Sequence, residues 1–146
     1  MRILVAVATR HGATREIAEH LATSLGSALT DAGVVPDVEV RDVGLVSSLE
    51  GFDAVVLGSS VHRGQWLDPA RKFAESFSDG LRWLPVWLFS RGPVDERDEP
   101  AREVVRQLAA RDHRVFDGTA DRPLIRAWGH EIGAILATAA VARSTS

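Results

Sequence analysis

Ile3-Leu4-Val5-Ala6-Val7-Ala8-Thr9-Arg10-His11-Gly12-Ala13-Thr14 is the stretch on which the fold turns. Its first half is apolar without alternation and too short for a helix, which predicts a strand buried on both faces. At Thr9 the composition becomes small and polar. From Ile17 the apolar residues recur at helical spacing, as Ile17, Ala18, Leu21, Leu25 and Leu29, and Gly33 follows as a C-cap. A doubly buried strand that runs through a short turn into an amphipathic helix is half of a crossover unit, and such units build parallel sheets.

The rest of the chain repeats the theme. Ala54-Val55-Val56-Leu57 and Pro85-Val86-Trp87-Leu88-Phe89 are further short apolar runs and read as central strands. Asp37-Val38-Glu39-Val40-Arg41 alternates, as a strand with one wet face does, and His113-Arg114-Val115-Phe116 is a weaker case; both read as edges. Asp68 is read as an N-cap with Pro69 in the first turn, Ala70, Phe73, Ala74 and Phe77 as the apolar face behind it, and Gly80 as the end of that helix. Pro100 opens a helix with Ala101, Val104, Val105 and Leu108 on one side. Pro123 opens the last, with Ile125, Trp128, Ile132, Ile135 and Leu136 inward. Asp42 to Gly51 holds at best a short helix. The sum is a three-layer α/β sandwich over 1–146, with a five-stranded parallel sheet in the order 2-1-3-4-5.

Composition narrows the function. The chain has 146 residues, which fits one compact domain, with 45% hydrophobic and 25% charged residues. It has no cysteine, so disulfides, thiolate metal sites and cysteine nucleophiles are excluded together. Net charge is −3 with the charges scattered, which argues against a nucleic-acid partner. No stretch approaches the roughly 20 apolar residues of a membrane helix, and the N-terminus lacks an export-signal pattern. A cytoplasmic location is the expectation. No metal-ligand spacing is present.

In doubly wound sheets a ligand sits beyond the carboxyl ends of the strands, where the strand order reverses. Three segments lead there: Thr9 to Thr14, Ser59 to Trp66, and Ser90 to Pro93, all rich in small and hydroxyl residues. In the first, backbone N–H groups and the helix dipole favour an anion, Thr9 and Thr14 add hydroxyls, and Gly12 permits close approach. Read locally, Thr14 is either part of an anion cradle or only a cap. The segment matches neither the dinucleotide G-x-G-x-x-G pattern nor a Walker loop. A phospho-receiver domain shares the sheet order but needs acidic residues where Thr9 and Ser59 stand, and the sole lysine, Lys72, falls in a helix.

The loop resembles the flavodoxin phosphate loop, Thr/Ser-x-Thr-Gly-x-Thr, with Thr9, Gly12 and Thr14 matching and His11 in place of the central Thr. Ala8 to Ala18, Val55 to Trp66, Pro85 to Pro93 and Ile125-Arg126-Ala127-Trp128 are closer still to flavodoxin domains of the menaquinone-dependent protoporphyrinogen oxidase type. The resemblance implies an FMN-dependent oxidoreductase that exchanges electrons with a quinone or a protein partner, with protoporphyrinogen as the specific family substrate. It implies FMN contacts from Thr9, Arg10, His11, Gly12, Ala13, Thr14, Ser59, Ser60, Val61, His62, Arg63, Gly64, Trp66, Ser90, Arg91, Gly92 and Pro93. No side chain is required as acid or base. One departure stands out: members of the oxidase type carry a further segment between the fifth strand and the last helix, whereas here Phe116-Asp117-Gly118 is followed almost at once by Pro123.

Individual residues leave choices open. With no tyrosine in the chain, the aromatic side chains available beside the flavin ring are His62 and Trp66, and Trp66 could equally pack under the following helix. Trp83, Trp87 and Trp128 read as core. His20, His113 and His130 read as structural or exposed. Arg63 and Arg91 either place a cation near N1 of the ring, which would raise the flavin potential, or point into solvent. Asp95-Glu96-Arg97-Asp98-Glu99 reads as a solvated loop leading into the fourth helix. The apolar Ile132 to Leu136 face either packs only inward or also forms a homodimer. A flavin-free module that acts through protein contacts is the rival reading.

Overall fold

The computed structural model describes residues 1–92 and 99–144. Pro93 and the acidic residues Asp95 to Asp98 lie outside them. The elements run β1 (Arg2–Ala8), α1 (Ala13–Asp31), β2 (Asp37–Asp42), β3 (Ala54–His62), β4 (Gln65–Trp66), α2 (Asp68–Ser76), α3 (Ser78–Leu81), β5 (Val86–Arg91), α4 (Arg102–Leu108), β6 (Asp112–Phe116) and α5 (Arg122–Ser144). The parallel order is β2-β1-β3-β5-β6. It is the expected 2-1-3-4-5 once the two-residue β4, antiparallel to the end of β3, is set aside.

The unalternating runs became central strands for the expected reason. Ile3, Val5, Val7, Ala54, Val56 and Phe89 pack under α1 and α5, while Leu4, Ala6, Val55, Leu57, Val86 and Leu88 pack under α2, α3 and α4. Residues of both sets alternate along each strand, so each strand feeds two cores. β2, at the edge, has no fully buried residue; its Val38 and Val40 pack partly buried against the core, and its Glu39 pairs with Arg2 and Arg41.

Helix α1 is bounded as its sequence demands. All five stripe residues are fully buried. Gly33, at φ +81°, donates its N–H to Thr30 O (3.0 Å), and Val34 donates to Leu29 O (2.9 Å), a Schellman closure. Helices α1 and α5 meet closely because Gly129 and Gly133 present no side chain there; a Cβ at Gly133 would lie 2.6 Å from Ala28 Cβ and 2.8 Å from Leu25 O.

Several expectations are corrected. Asp68 is the first residue of α2 rather than its cap: Leu67 takes the cap position, and the Asp68 carboxylate pairs with Arg71. Gly80 does not end that helix, which breaks at Phe77; Gly80 lies inside the short α3. The stretch after β2 agrees with its reading as at best a short helix: it holds a 3-10 turn, Val43–Leu45, with Asp42 Oδ1 accepting from Gly44 N at 2.9 Å. Trp83 is 89% exposed, because it sits in the turn between α3 and β5, before the strand begins. Ile135 is 40% exposed; the buried stripe passes from Ile132 to Leu136, a closer rotation about the axis than Ile132 to Ile135.

Gly58 is required by its neighbour. It registers with Phe89 on the α1 side of the sheet, and a Cβ there would meet the Phe89 ring at 2.2–2.5 Å. That ring is fully buried and stands edge-on to Trp128 at 6.4 Å. Gly58→Ala is expected to cost about 1–3 kcal/mol by overpacking. Urea titration checks it: the midpoint should fall at unchanged slope, and an unaltered midpoint would mean the ring has room to move.

Candidate flavin site

The switch point between β1 and β3 is built from strand ends in register. Ala8 pairs with Ser59, Ser59 with Ser90, and Ser60 with Arg91. The three segments singled out in the sequence therefore meet at one edge of the sheet. Only the first is a true loop. Ser59 to His62 continue β3, and Ser90 and Arg91 complete β5. Apolar content falls before the strands do, because backbone pairing continues where side chains become polar.

The loop Thr9 to Gly12 is folded by its own hydroxyl: Thr9 Oγ1 accepts from Gly12 N at 2.9 Å. Gly12 then takes φ +85°, and nothing lies within 4 Å of where its Cβ would be. It is the N-cap of α1, and no side chain caps that helix. The first-turn amides, beginning with those of Ala13 and Thr14, are thus left without a side-chain cap at the positive end of a 19-residue helix. Thr14 itself is fully buried, with its Oγ1 2.6 Å from Ser60 Oγ. It is no cap; it ties α1 to the end of β3.

The second segment is a hairpin. Val61 pairs with Trp66 and His62 with Gln65, and the turn residues Arg63 and Gly64 have φ +52° and +75°. Positive φ at both central positions marks a type I′ turn, the two-residue connection that matches strand twist. Ser59 Oγ accepts from Leu67 N at 3.1 Å and donates to Ser60 O at 2.8 Å, which anchors the return of the chain into α2. The hairpin is joined to the loop by an Arg10 guanidinium nitrogen 2.6 Å from His62 Nδ1. Arginine only donates, so His62 accepts at Nδ1 and carries its proton on Nε2. His11 and Arg63 are exposed.

Trp66 is 2% exposed and packs with Ala70, Phe73 and Ala74 under α2. Its indole donates to Ser90 Oγ at 2.7 Å, and Ser90 Oγ lies 2.7 Å from His113 Nε2. Of the two candidate aromatics, His62 is left at the surface of the site. His113, read from sequence without a partner, belongs to this buried chain. No local signal could show it, since Ser90 and His113 meet only through the β5–β6 pairing. Indole can only donate, so the Ser90 hydroxyl accepts from Trp66, and its own O–H is free to donate to an unprotonated His113 Nε2. Burial pushes the His113 pKa below the usual imidazole value, against the opposing pull of the Asp112 carboxylate. Glu99, Arg102 and Arg106 share its outer cavity of about 390 Å³. In the third segment, Gly92 N donates to Phe116 O at 2.9 Å. Arg91 is half-buried, and its Nε is buried with no hydrogen-bond partner among the described residues.

The flavodoxin-domain family profile matches residues 4–132, most of the chain. The chain belongs to the flavodoxin family. Protoporphyrinogen IX dehydrogenase [quinone] from Escherichia coli strain K12 is 30% identical over 99 residues, 68% of this chain and 52% of that protein. The chain thus spans about half the length of the curated relatives it matches. Among solved structures, a flavodoxin from the domain Archaea superposes with a TM-score of 0.72 at 21% identity, covering 94% of this chain and 99% of that one. Rubredoxin oxygen:oxidoreductase from Desulfovibrio gigas gives 0.70 at 17% identity, covering 97% of this chain and 37% of the other.

FMN is the cofactor of this flavodoxin domain, and the residues present fit it. An uncapped helix N-terminus, a glycine that clears the approach and an orphaned guanidinium nitrogen are the complement of a phosphate-bearing ligand. Among the described residues, no group of side chains could hold a metal ion, and no helix is long and apolar enough to cross a membrane.

The state of His113 sets a pH dependence. Its folded pKa is lowered, so its contribution to stability is complete above the unfolded value of about 6.5 and is lost as pH falls below that. Between about pH 6.5 and 5 the urea midpoint should decline, and His113→Gln, which can still accept from Ser90, should remove that decline. An identical slope in the variant would place the titration elsewhere.

Proposed function

We propose that this protein is an FMN-dependent electron carrier that exchanges electrons with a quinone or a protein partner. The observation that carries the reading is the uncapped N-terminus of α1, opened by Gly12 and braced by the Thr14–Ser60 contact at the sheet's switch point. The amides of Ala13 and Thr14 would hold the phosphate, with Thr9 and Ser60 hydroxyls at its flank and Arg10 and His11 at its outer rim. The hairpin from Ser60 through Val61, His62, Arg63 and Gly64 would form one wall of the ring site, and the backbone at the end of β5 with Gly92 the other. His62 is the exposed aromatic on the hairpin, and Arg10 orients it. Trp66 and Ser59 support that wall from beneath, through Ser90 and Leu67. FMN, when bound, supplies one- and two-electron chemistry, and the protein supplies position and electrostatics. No side chain has to act as an acid or base.

The likeness to protoporphyrinogen IX dehydrogenase [quinone] supports a quinone as acceptor and protoporphyrinogen as the donor to test. Between β6 and α5 there is room only for Asp117, Gly118 and a 3-10 turn, Thr119–Asp121. Members of the oxidase type usually carry a longer segment at this position, where quinone or porphyrin contacts would be sought, so its shortness weighs against the oxidase activity and for a carrier role.

The test begins with the visible spectrum of the purified protein before and after FMN is added. Flavin bands that stay with the protein through gel filtration are expected, as is prompt reoxidation of the reduced protein by a soluble naphthoquinone. Failure to bind FMN in excess would overturn the reading in favour of a flavin-free module that acts through protein contacts. Oxidation of protoporphyrinogen at a comparable rate would make the porphyrin, rather than a carrier's partner, the substrate.

A further inference from the structure

Arg91 has a place in the site that its position in the chain does not reveal. In a parallel sheet, registered neighbours project their side chains to the same face. Arg91 registers with Ser60 on one side and with Phe116 on the other. Ser60 meets Thr14 of α1, and Phe116 lies in the core beneath α1 and α5. Arg91 therefore projects toward α1, beside Ser60, at the carboxyl end of the sheet. Ser90, one residue earlier, projects the opposite way, toward Trp66 and His113. So the Arg91 guanidinium is on the same side as the first turn of α1.

Among the described residues its charge has no counterpart there. The Nε is buried without an acceptor, and Arg91 forms no ion pair among the described residues. The described parts of the three segments hold Arg10, His11, His62, Arg63 and Arg91 and no aspartate or glutamate, although the whole chain is acidic at −3. A buried guanidinium N–H left without an acceptor is costly. Among the described residues two donors lack an acceptor on one side of the sheet: the Arg91 Nε and the uncapped turn of α1. One anion placed between them would satisfy both.

We propose that Arg91 is the counter-charge of the FMN phosphate, closing the phosphate site from the β5 side and making this chain selective for the phosphorylated flavin. This rests on the FMN reading above and replaces the expectation of a cation at N1 of the ring for this residue. The two placements leave different signatures. A cation at N1 acts on the ring, so its removal lowers the potential and disturbs flavins with and without a phosphate alike. A phosphate partner acts on affinity for FMN alone.

The experiment compares the wild-type chain with Arg91→Gln and Arg91→Lys, measuring FMN and riboflavin affinity by fluorescence quenching and the midpoint potential by dye equilibration. Arg91→Gln should weaken FMN binding roughly 10- to 100-fold, the range for loss of a charge-assisted hydrogen bond. Riboflavin affinity and the potential should stay unchanged, and the salt dependence of FMN binding should become shallower. Arg91→Lys, which keeps the charge, should recover part of the loss and serves in place of the first variant if that one fails to fold. Equal weakening of both flavins, or a lowered potential at unchanged FMN affinity, would overturn the assignment while leaving the cofactor in place. A wild-type chain that binds neither flavin would remove the FMN reading itself, and this assignment with it.

Discussion

The in-register pairing of β3 between β1 and β5 is the constraint on which the rest of the molecule depends. It sets Ala8, Ser59 and Ser90 side by side at one end of the sheet. Because side chains alternate, it also sorts the polar residues at that end into two groups. Ser60 and Arg91 face α1. Ser59 and Ser90 face α2 and α4, where they anchor Leu67 and Trp66. A slip of one residue in either pairing would exchange these groups and send each strand's core side chains to the opposite face of the sheet. The sheet thus fixes the cores and the site through a single geometric relation.

The site shows how a ligand cradle can be stabilised from the side away from the ligand. Thr14 is wholly buried yet polar, and its hydroxyl is satisfied by Ser60. Trp66 is a core residue whose one side-chain polar atom reaches Ser90, and Ser90 in turn hydrogen-bonds His113. Buried polar chains of this sort are favourable only when every member finds a partner. Here each does. Among the described residues, the donors left without an acceptor lie on the other side, at Arg91 and the first turn of α1. On the proposed reading, satisfied donors hold the wall and unsatisfied ones would face the ligand.

Much of this was legible in the chain. The unalternating runs at Ile3, Ala54 and Pro85 demanded buried parallel strands, because strands covered by helices on both faces have no wet side to mark. The α1 stripe and Gly33 gave the helix and its end, since both obey local rules of spacing and positive φ. The anion loop could be read from Thr9, Gly12 and Thr14. Where reading failed, the cause was tertiary. Trp83 is apolar but lies in a turn that ends before β5 begins. Ser59 to His62 look like loop residues and are strand, because backbone pairing does not require apolar side chains.

The sequence by itself determined the order of strands and helices, the parallel sheet and the glycine-bearing turn ahead of α1, which follow from periodicity and short-range backbone chemistry. The family was legible only as a resemblance of whole segments, such as Ala8 to Ala18 and Val55 to Trp66. Only the tertiary structure decided which way the site residues face: Trp66 inward, His62 outward to Arg10, His113 joined to Ser90, and Arg91 beside Ser60. Those facts depend on contacts between residues distant in the chain, and a strand's register with its neighbours is not written within the strand itself.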